Sequence, residues 1–344
     1  MKFAGPLTAI ALLASPLAAQ EAAMPSDADI ARILSDRIGR DQANVGIAVA
    51  VIEGGETRFV SHGTLSVDND TPVDEHTLFE AGSITKVFTN LLLAQLVNEG
   101  RIDLDTPILD YLPEGTVLPE TDDRAIMAFD LATHSAGLSG LPDAVLAGGV
   151  DNPYSGVGDG ILMDWLAGYQ MPRQIGESFE YSNAGTALLA LAIEHVSGTG
   201  YADLLTEKVL APLGMSETHL ALTGTALPEM ASGHNAAREM VPHWDFDVFA
   251  PAGALVTSSA DLAKFIAAAS GTAETELRAD FDTMLARTRT AGNDSIGLGW
   301  FITDTGQGEI VWHNGITAGF RSFAGVERNS GNGVVVLSNM VTEA

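Results

Sequence analysis

Apolar residues recur with a helical period near the start of this chain and form short runs rich in β-branched residues soon after it. Over residues 25–40, apolar side chains recur every three or four positions and Ser26 or Asp27 can cap the first turn, which predicts an amphipathic helix. Its apolar face carries Ile30, Ile33, Leu34 and Ile38. Residues 46–52 and 57–62 are rich in apolar and β-branched side chains and flank a Glu-Gly-Gly-Glu turn, so we predict a β-hairpin.

The other end of the chain has the same strand pattern, and the region between the two ends is mostly helical in pattern. Strands are predicted at residues 296–303, 309–313, 320–327 and 334–338. Helices are predicted at residues 83–99, 160–169, 184–197, 201–209 and 259–269. The simplest architecture is an α/β (α+β) fold in which both chain ends build one antiparallel sheet, flanked by helices, with a mostly helical domain inserted. We expect the sheet domain at residues 25–80 and 251–344, the inserted domain at 81–250, and a site in the cleft between them.

The first 19 residues have the pattern of a secretory signal peptide. Lys2 supplies a positive charge, residues 3–17 are largely apolar, and Leu-Ala-Ala at residues 17–19 offers a cleavage site. A transmembrane anchor is the alternative, but roughly 15 apolar residues are fewer than the roughly 20 that a bilayer requires. We therefore expect a secreted or periplasmic protein without a membrane span.

Composition and charge narrow the classes of function. A chain of 344 residues can form one large or two interleaved domains. The net charge of -28 has the wrong sign for binding nucleic acid or anionic lipid, since both depend on Lys and Arg. Because cysteine is absent, disulfides, thiolate catalysis and Cys-based zinc sites are excluded. His134, His234 and His243 lack the spacing of a zinc-binding helix, so we expect no metal and no cofactor.

The helix predicted at residues 83–99 is apolar nearly all round, which is typical of a buried helix, yet it contains Lys86. A buried lysine has a lowered pKa and can accept a proton near neutral pH. Ser83 lies three residues earlier on the same helical face, at the positive end of the helix dipole, so Lys86 can activate it as a nucleophile. The alternative is an ordinary N-cap serine followed by a lysine whose amine reaches water.

Two further short motifs follow this one in the chain. The three are Ser-Ile-Thr-Lys at residues 83–86, Tyr-Ser-Asn at 181–183 and His-Asn-Gly at 313–315. Together with residues 79–82, 131–138 and 251–255, they resemble the penicillin-recognising serine hydrolases, the superfamily of class C β-lactamases and serine DD-peptidases. The resemblance extends from about residue 45 to about residue 340. It implies a β-lactamase-like fold and a serine hydrolase that works through an acyl-enzyme.

The resemblance also implies a role for each site residue. Ser83 would attack a carbonyl, Lys86 and Tyr181 would shuttle the proton, and Asn183 would hold Lys86 and the amide of the substrate. The oxyanion would lie between the backbone N–H groups of Ser83 and Ile316, and each fixed donor of this kind is worth about 10²–10³ in rate. Because Tyr181 would lie near two cations, we expect its pKa to be lowered. The expected substrate-binding residues are Asn183, His313, Asn314, Gly315 and Ile316.

The third motif, residues 313–315, differs from the family pattern, and this difference affects which substrates we expect. Class C β-lactamases usually carry Lys-Thr-Gly there, which helps to bind the carboxylate of the substrate, whereas some DD-peptidases and esterases of the superfamily have histidine. A histidine such as His313 can be neutral at pH 7, which weakens a carboxylate anchor. The expected substrates are β-lactams or D-Ala-D-Ala-type peptides, that is, a small molecule or a peptide. Small esters are the alternative, and a penicillin-binding sensor without turnover is a third hypothesis.

Several assignments have a second interpretation. Asn183 can be a helix N-cap, and Tyr181 a half-exposed aromatic residue outside any site. The residues that either line a substrate pocket or belong to the core are Tyr154, Trp165, Trp244 and Phe249. In the family a long helix follows the last strand and covers the sheet, but only residues 341–344 follow it here. Unless the chain is truncated, we expect that sheet face to be covered in another way, for example by a partner subunit.

Overall fold

A computed structural model describes residues 24–121, 124–142, 145, 152–222 and 228–342 of the protein. The predicted signal peptide at residues 1–19 lies outside the described residues. The strands are β1 Gly46–Glu53, β2 Glu56–Ser66, β3 Asn69–Pro72, β4 Phe79–Glu80, β5 His219–Leu220, β6 Gly233–His234, β7 Met240–Val241, β8 Leu255–Thr257, β9 Arg289–Ala291, β10 Asp294–Ile296, β11 Phe301–Asp304, β12 Glu309–Ile316, β13 Arg321–Glu327 and β14 Gly333–Ser338. The α-helices are α1 Asp27–Ser35, α2 Thr85–Asn98, α3 Ala128–Ala132, α4 Asp159–Gly168, α5 Asn183–Ser197, α6 Tyr201–Leu205, α7 Ala250–Gly253, α8 Ser259–Ser270 and α9 Arg278–Ala286.

The main sheet joins the two ends of the chain, as the sequence predicts. Its order in the described part of the chain is β3-β2-β1-β14-β13-β12-β11-β10-β9, and each neighbouring pair is antiparallel. The two ends meet where β1 pairs with β14, with Ile47 opposite Ser338 and Ile52 opposite Gly333. Helices α2, α8 and α9 lie on the inner side of this sheet. The predicted fold class is therefore confirmed.

Strand β1 lies in the middle of two apolar layers, which explains why it is apolar at nearly every position. Ala48, Ala50 and Ile52 face the main core, while the alternate side chains face α1. From α1, Ile30 and Leu34 complete that second layer. Ile33 lies on the same side of this helix as Ile30 and Leu34, as predicted, but 46% of its surface is exposed.

Ile33 is exposed because it faces an open apolar groove of about 800 Å³ between α1 and the outer side of the sheet. Other apolar residues of the groove are Ile316, Phe323, Val334 and Val336. On this side Val334 and Val336 of β14 pack against the cluster formed by α1 and β1, and no helix in the described ranges packs over β12 and β13. None of the described helices is long and apolar enough to cross a membrane.

One predicted strand, residues 296–303, is interrupted in the structure. The chain instead forms β10, a tight turn and β11, which pair with each other. Gly299 in this turn has φ +75, a conformation that favours glycine, and the Gly297 N–H donates to the carbonyl of Trp300 at 2.9 Å. The pattern of apolar residues continues through the turn because Leu298 and Trp300 are both buried, which is why periodicity alone missed the break.

Candidate active site

Ser83 lies where strand β4 leads into helix α2. A 3₁₀ turn, Gly82–Ile84, separates the two elements, and the Ala81 N–H before it donates to the carbonyl of Leu255 on β8 at 2.8 Å. Gly82 has φ +52, and a Cβ at this position would lie 2.9 Å from the backbone N of Ile316. Strand β12 therefore passes directly in front of the turn that carries Ser83.

Lys86 is one turn further along, and its side chain is fully buried. Its Nζ donates to Ser83 Oγ at 3.1 Å and to the carbonyl oxygen of Ala252 at 2.7 Å. Burial lowers the pKa of Lys86 well below its ordinary value. The structure therefore brings together the predicted nucleophile and a lysine suited to accept its proton.

The carbonyl of Ala252 is a partner that the sequence did not reveal. It belongs to the short helix α7, which has Pro251 in its first turn and is buried along its whole length. The segment 251–255 belongs to the family resemblance, but its sequence gives no sign that a backbone oxygen would hold the lysine. The only available signal is that a buried lysine needs a hydrogen-bond acceptor.

Tyr181 lies beside Lys86, with the Nζ 4.7 Å from the centroid of its ring. Its buried hydroxyl makes no hydrogen bond of standard geometry with the described residues, but Ser83 is close enough to offset part of the effect of burial on its pKa. We expected a lowered pKa from nearby cations, and the structure contradicts this: burial raises the pKa of the Tyr181 hydroxyl above its ordinary value. The expected attraction is weak because burial also favours the neutral forms of Lys86 and His313.

His134 is a residue of the site that sequence reasoning considered only as a metal ligand. Its buried ring lies 4.5 Å from that of Tyr181, and its Nδ1 accepts the Ser182 N–H at 3.2 Å. Burial lowers its pKa well below the ordinary value, with a further contribution from the positive charge of Lys86. The neutral imidazole thus packs against the ring of Tyr181. The signal in the sequence was its place in the resembling segment 131–138.

Strand β12 presents alternate residues to opposite sides of the sheet, which separates the third motif into two groups. His313 and Gly315 are buried on the inner side, whereas Asn314 and Ile316 have exposed side chains beside the outer groove. A Cβ on Gly315 would lie 2.0 Å from the Ala81 carbonyl oxygen, so only glycine permits this approach. The Asn314 side chain is therefore not brought together with Ser83, and Ile316 approaches the nucleophile turn through its backbone.

His313 has a defined hydrogen-bond pattern. Its Nδ1 lies 2.6 Å from the carbonyl oxygen of Asn314, and a carbonyl only accepts, so Nδ1 carries the proton. Its Nε2 has no partner among the described residues. Burial, aided by the charge of Lys86, lowers the pKa of His313 to about 3, so the imidazole is neutral at pH 7.

Asn183 is in the site, but its partner differs from the one the resemblance implies. Its Nδ2 donates to the hydroxyl of Tyr154 at 2.9 Å, whereas Lys86 bonds to Ser83 and Ala252. Ser182, not Asn183, caps α5 by accepting the Gly185 N–H at 2.9 Å.

Of the four aromatic residues with two interpretations, three form one cluster. The Tyr154 ring is within 5.4 Å of the rings of Trp244 and Phe249, while Trp165 packs on Tyr169 elsewhere.

No group of three His, Asp or Glu side chains in the described ranges could hold a metal ion. The site thus combines a hydroxyl nucleophile, a buried amine, a phenol, an amide and a close backbone strand, a set suited to acyl transfer.

Sequence comparisons point to one family. The family model described as Beta-lactamase matches residues 29–344. The chain is 29% identical over 337 residues to the unguisins hydrolase ungD' of Aspergillus campestris, an alignment that covers 92% of this chain and 62% of that protein. It is 31% identical over 211 residues to the D-alanyl-D-alanine-carboxypeptidase/endopeptidase AmpH of Escherichia coli K12, covering 60% and 54%. The chain thus spans less than two thirds of the length of these relatives.

Solved structures give the same fold. A β-lactamase/D-alanine carboxypeptidase from Pseudomonas syringae matches with a TM-score of 0.78 at 22% identity, covering 91% of this chain and 94% of that one. A class C β-lactamase from Rhodobacter sphaeroides matches with a TM-score of 0.77 at 23% identity, with the same coverage. At such low identity these likenesses establish the fold alone.

Proposed function

This chain belongs to the beta-lactamase family, and we propose that it is a serine hydrolase that cleaves amide or ester bonds through an acyl-enzyme on Ser83. The observation that carries the proposal is the 3.1 Å hydrogen bond between Ser83 Oγ and the buried amine of Lys86. A lysine with a lowered pKa can take the hydroxyl proton as Ser83 attacks, so no histidine base is needed.

The first half of the reaction forms the acyl-enzyme. Ser83 Oγ bonds to the carbonyl carbon of the substrate while its proton passes to Lys86. The negative charge on the carbonyl oxygen is stabilised by the backbone N–H groups of Ser83 and Ile316. The bond to the leaving group then breaks. Because its raised pKa keeps Tyr181 protonated near pH 7, the phenol is suited to give the leaving group a proton and to regain one from Lys86.

The second half releases the acyl group. A water molecule attacks the acyl carbonyl, and its proton passes to the Lys86–Tyr181 pair. The bond between the acyl carbon and Ser83 Oγ then breaks, and Ser83 Oγ takes a proton from the same pair. The Asn183 amide, His313 and the backbone of β12 at Gly315 and Ile316 are the groups that bind the substrate in this proposal, whereas the Asn314 side chain faces the outer groove. The site would lie between the sheet domain, residues 25–80 and 251–344, and the helical insertion at 81–250.

Two classes of substrate have support. Peptides ending in D-Ala-D-Ala and β-lactams are the first, because relatives carry the names D-alanyl-D-alanine-carboxypeptidase and beta-lactamase. Small esters are the second, because the neutral, buried His313 supplies no positive charge for a carboxylate. The pattern of residues 1–19 supports a secreted or periplasmic location for either activity.

The test is intact-protein mass spectrometry with a penicillin and with a chromogenic ester, run beside a turnover assay. We expect a covalent adduct on wild-type Ser83 and none on Ser83→Ala, with the melting temperature unchanged within a few degrees. Ser26→Ala, which removes an exposed helix cap on α1, is the matched control and should keep full activity. Unchanged turnover in Ser83→Ala would refute the mechanism, and a lasting adduct without product would favour the sensor.

A further inference from the structure

The chain on both sides of Tyr181 is held by one residue, His134. The N–H of Glu180 donates to the His134 carbonyl oxygen at 2.7 Å, and the N–H of Ser182 donates to His134 Nδ1 at 3.2 Å. Ser182 is extended, with φ -134 and ψ 112, and in an extended chain N–H groups two residues apart point to the same side. A neighbouring strand would normally accept both through two carbonyl groups. Here a carbonyl and a ring nitrogen of the same residue accept them.

The backbone conformation of His134 is unusual for a buried residue. Its φ of +52 lies in the left-handed region, which residues other than glycine seldom adopt. In the described part of the chain, the other such residues are Gln42, Arg238 and Asp247, and none of these three is buried. Strain of this kind persists only where surrounding contacts enforce it, and it is concentrated at functional sites. The two hydrogen bonds to the chain around Tyr181 are contacts of this kind.

The imidazole of His134 also contacts the phenol itself, since the two ring centroids are 4.5 Å apart. Nδ1 can accept the Ser182 N–H only while it carries no proton. Burial, with a further contribution from the charge of Lys86, lowers the pKa of His134 well below its ordinary value, so this acceptor is present at neutral pH. The position of the Tyr181 side chain therefore depends on His134 through the ring and through the backbone on either side.

We propose that His134 is a positioning residue for proton transfer to the leaving group, because it holds Tyr181 where its O–H can reach the departing atom. As the C–O or C–N bond of the substrate breaks, its electron pair goes to the leaving atom, which takes the Tyr181 proton. Tyr181 then regains a proton from Lys86, which received one from Ser83. This inference rests on the acyl-enzyme and the proton donor of the proposed function.

The need for this proton depends on the leaving group. A weakly basic group such as a nitrophenolate departs without a proton, whereas an alkoxide or an amide nitrogen is strongly basic and needs one as the bond breaks. His134 therefore determines how well the enzyme cleaves alkyl esters and amides, and it matters little for activated esters. A residue with a purely structural role would affect both kinds of substrate alike.

The experiment compares two acetate esters of similar size, 4-nitrophenyl acetate and benzyl acetate. The quantity is kcat/KM, which covers the steps up to the acyl-enzyme, in which the leaving group departs. His134→Leu removes the Nδ1 acceptor. We expect it to lower kcat/KM about 10²-fold for benzyl acetate, a usual size for general acid catalysis, and about threefold or less for 4-nitrophenyl acetate.

Two amide variants separate the acceptor from the rest of the side chain. In His134→Asn, Oδ1 lies close to the former position of Nδ1 and can accept the Ser182 N–H, and asparagine tolerates a positive φ. We expect this variant to cleave benzyl acetate within about tenfold of the wild-type rate. His134→Gln carries its amide one bond further out and should behave like His134→Leu. If melting curves show that His134→Leu is unfolded, the comparison of the two amide variants replaces it.

His234 provides the matched control. Its imidazole is also buried, with Nε2 accepting the Val67 N–H at 3.3 Å and Nδ1 2.9 Å from the Asn339 carbonyl oxygen. His234→Leu should leave the ratio of the two kcat/KM values unchanged, even if it lowers the melting temperature.

A double variant tests whether His134 acts through Tyr181. When Tyr181→Phe is already present, His134→Leu should change kcat/KM for benzyl acetate by about twofold or less, because the hydroxyl that it positions is absent. A full additional loss in the double variant would overturn the inference, since His134 would then act independently of Tyr181.

The other outcomes separate this inference from the proposed function. Equal losses for the two esters in folded His134→Leu and His134→Gln, with adducts still formed on Ser83, would overturn the inference and leave the acyl-enzyme standing. A wild type that cleaves 4-nitrophenyl acetate but not benzyl acetate would also overturn it, because the phenol would then deliver no proton. If neither ester forms an adduct on Ser83 in any folded variant, the proposed function fails and the inference fails with it.

Discussion

At the scale of single residues, three buried basic side chains surround one phenol. Lys86, His134 and His313 are each at most 3% exposed, and burial lowers the pKa of all three. The hydrogen bond of His134 fixes a neutral imidazole, because its Nδ1 accepts from the Ser182 N–H. His313 Nδ1 donates to a carbonyl, and burial keeps that ring neutral. The site is therefore suited to pass a proton between neutral groups and ill-suited to hold several positive charges.

The buried amine of Lys86 has a cost in stability that depends on pH. Its pKa is lowered in the folded state, so between that lowered value and its ordinary value of 10.5 the unfolded chain binds a proton that the folded chain does not. Unfolding then takes up a proton, and the free energy of unfolding rises with pH across this window. The cost is greatest at the low end of the window and vanishes above pH 10.5.

We therefore predict that Lys86→Met loses activity and gains stability. Turnover should fall about 10³-fold, because the general base is removed. The free energy of unfolding at pH 7 should rise by about 1–2 kcal/mol, and this gain should shrink as the pH approaches 10. Urea unfolding at pH 7, 8.5 and 10 measures it, with the exposed Lys208→Met as control, expected within about 0.5 kcal/mol of wild type. A Lys86→Met variant less stable than wild type at pH 7 would contradict this account.

At the scale of secondary-structure elements, the site depends on how closely β12 approaches the turn before α2. Gly315 has no room for a side chain, because a Cβ would lie 2.0 Å from the Ala81 carbonyl oxygen and 2.5 Å from Ser322 Oγ. Ser322 Oγ also donates to that carbonyl at 2.7 Å. The position of the Ile316 N–H relative to Ser83 is thus set by the contact between two elements.

Gly315→Ala should separate these two elements. We expect the added methyl group to cost about 1–3 kcal/mol of stability by overpacking and to lower kcat about 10²-fold, because one oxyanion donor moves. Thermal melting and steady-state kinetics test the two effects. Gly160→Ala on α4 is the matched control, since nothing lies within 4 Å of its Cβ position, and it should leave kcat unchanged. A normal kcat in folded Gly315→Ala would exclude the backbone of Ile316 as an oxyanion donor.

At the scale of the whole molecule, charge is the dominant feature. The net charge is -28, because the chain has 45 acidic and 17 basic residues. Like charges repel one another most strongly in the compact folded state. Several ion pairs offset this at the surface, but exposed pairs contribute little each. We expect the repulsion between carboxylates to dominate the response to salt.

The prediction is that salt stabilises the protein. Raising NaCl from 0.1 M to 1 M shortens the screening length from about 10 Å to about 3 Å, and the melting temperature should rise by about 3 °C or more. Differential scanning fluorimetry with NaCl and with KCl measures this, and equal effects of the two salts identify screening as the cause. A melting temperature that falls with salt would mean that the surface ion pairs outweigh the net repulsion.

Much of this architecture follows from the sequence alone. The runs of apolar and β-branched residues at 46–52 and 334–338 predicted strands, and their positions at the two chain ends predicted one shared antiparallel sheet. The all-round apolar pattern of α2 determined that it is buried, and the spacing of Ser83 and Lys86 placed both on one helical face. These features depend on residues close together in the chain, so local periodicity is sufficient to predict them. The division into two domains stays a prediction.

Only the tertiary structure decided how the site is completed. It supplied the Ala252 carbonyl for Lys86, the imidazole of His134 behind Tyr181, and the hydroxyl of Tyr154 for Asn183. It also reversed the expected direction of the Tyr181 pKa. Each of these rests on contacts between residues far apart in sequence and on the depth of burial, and desolvation outweighs nearby charge only once that depth is known. The sequence determines which groups are available, whereas packing determines which of them meet and in which protonation state.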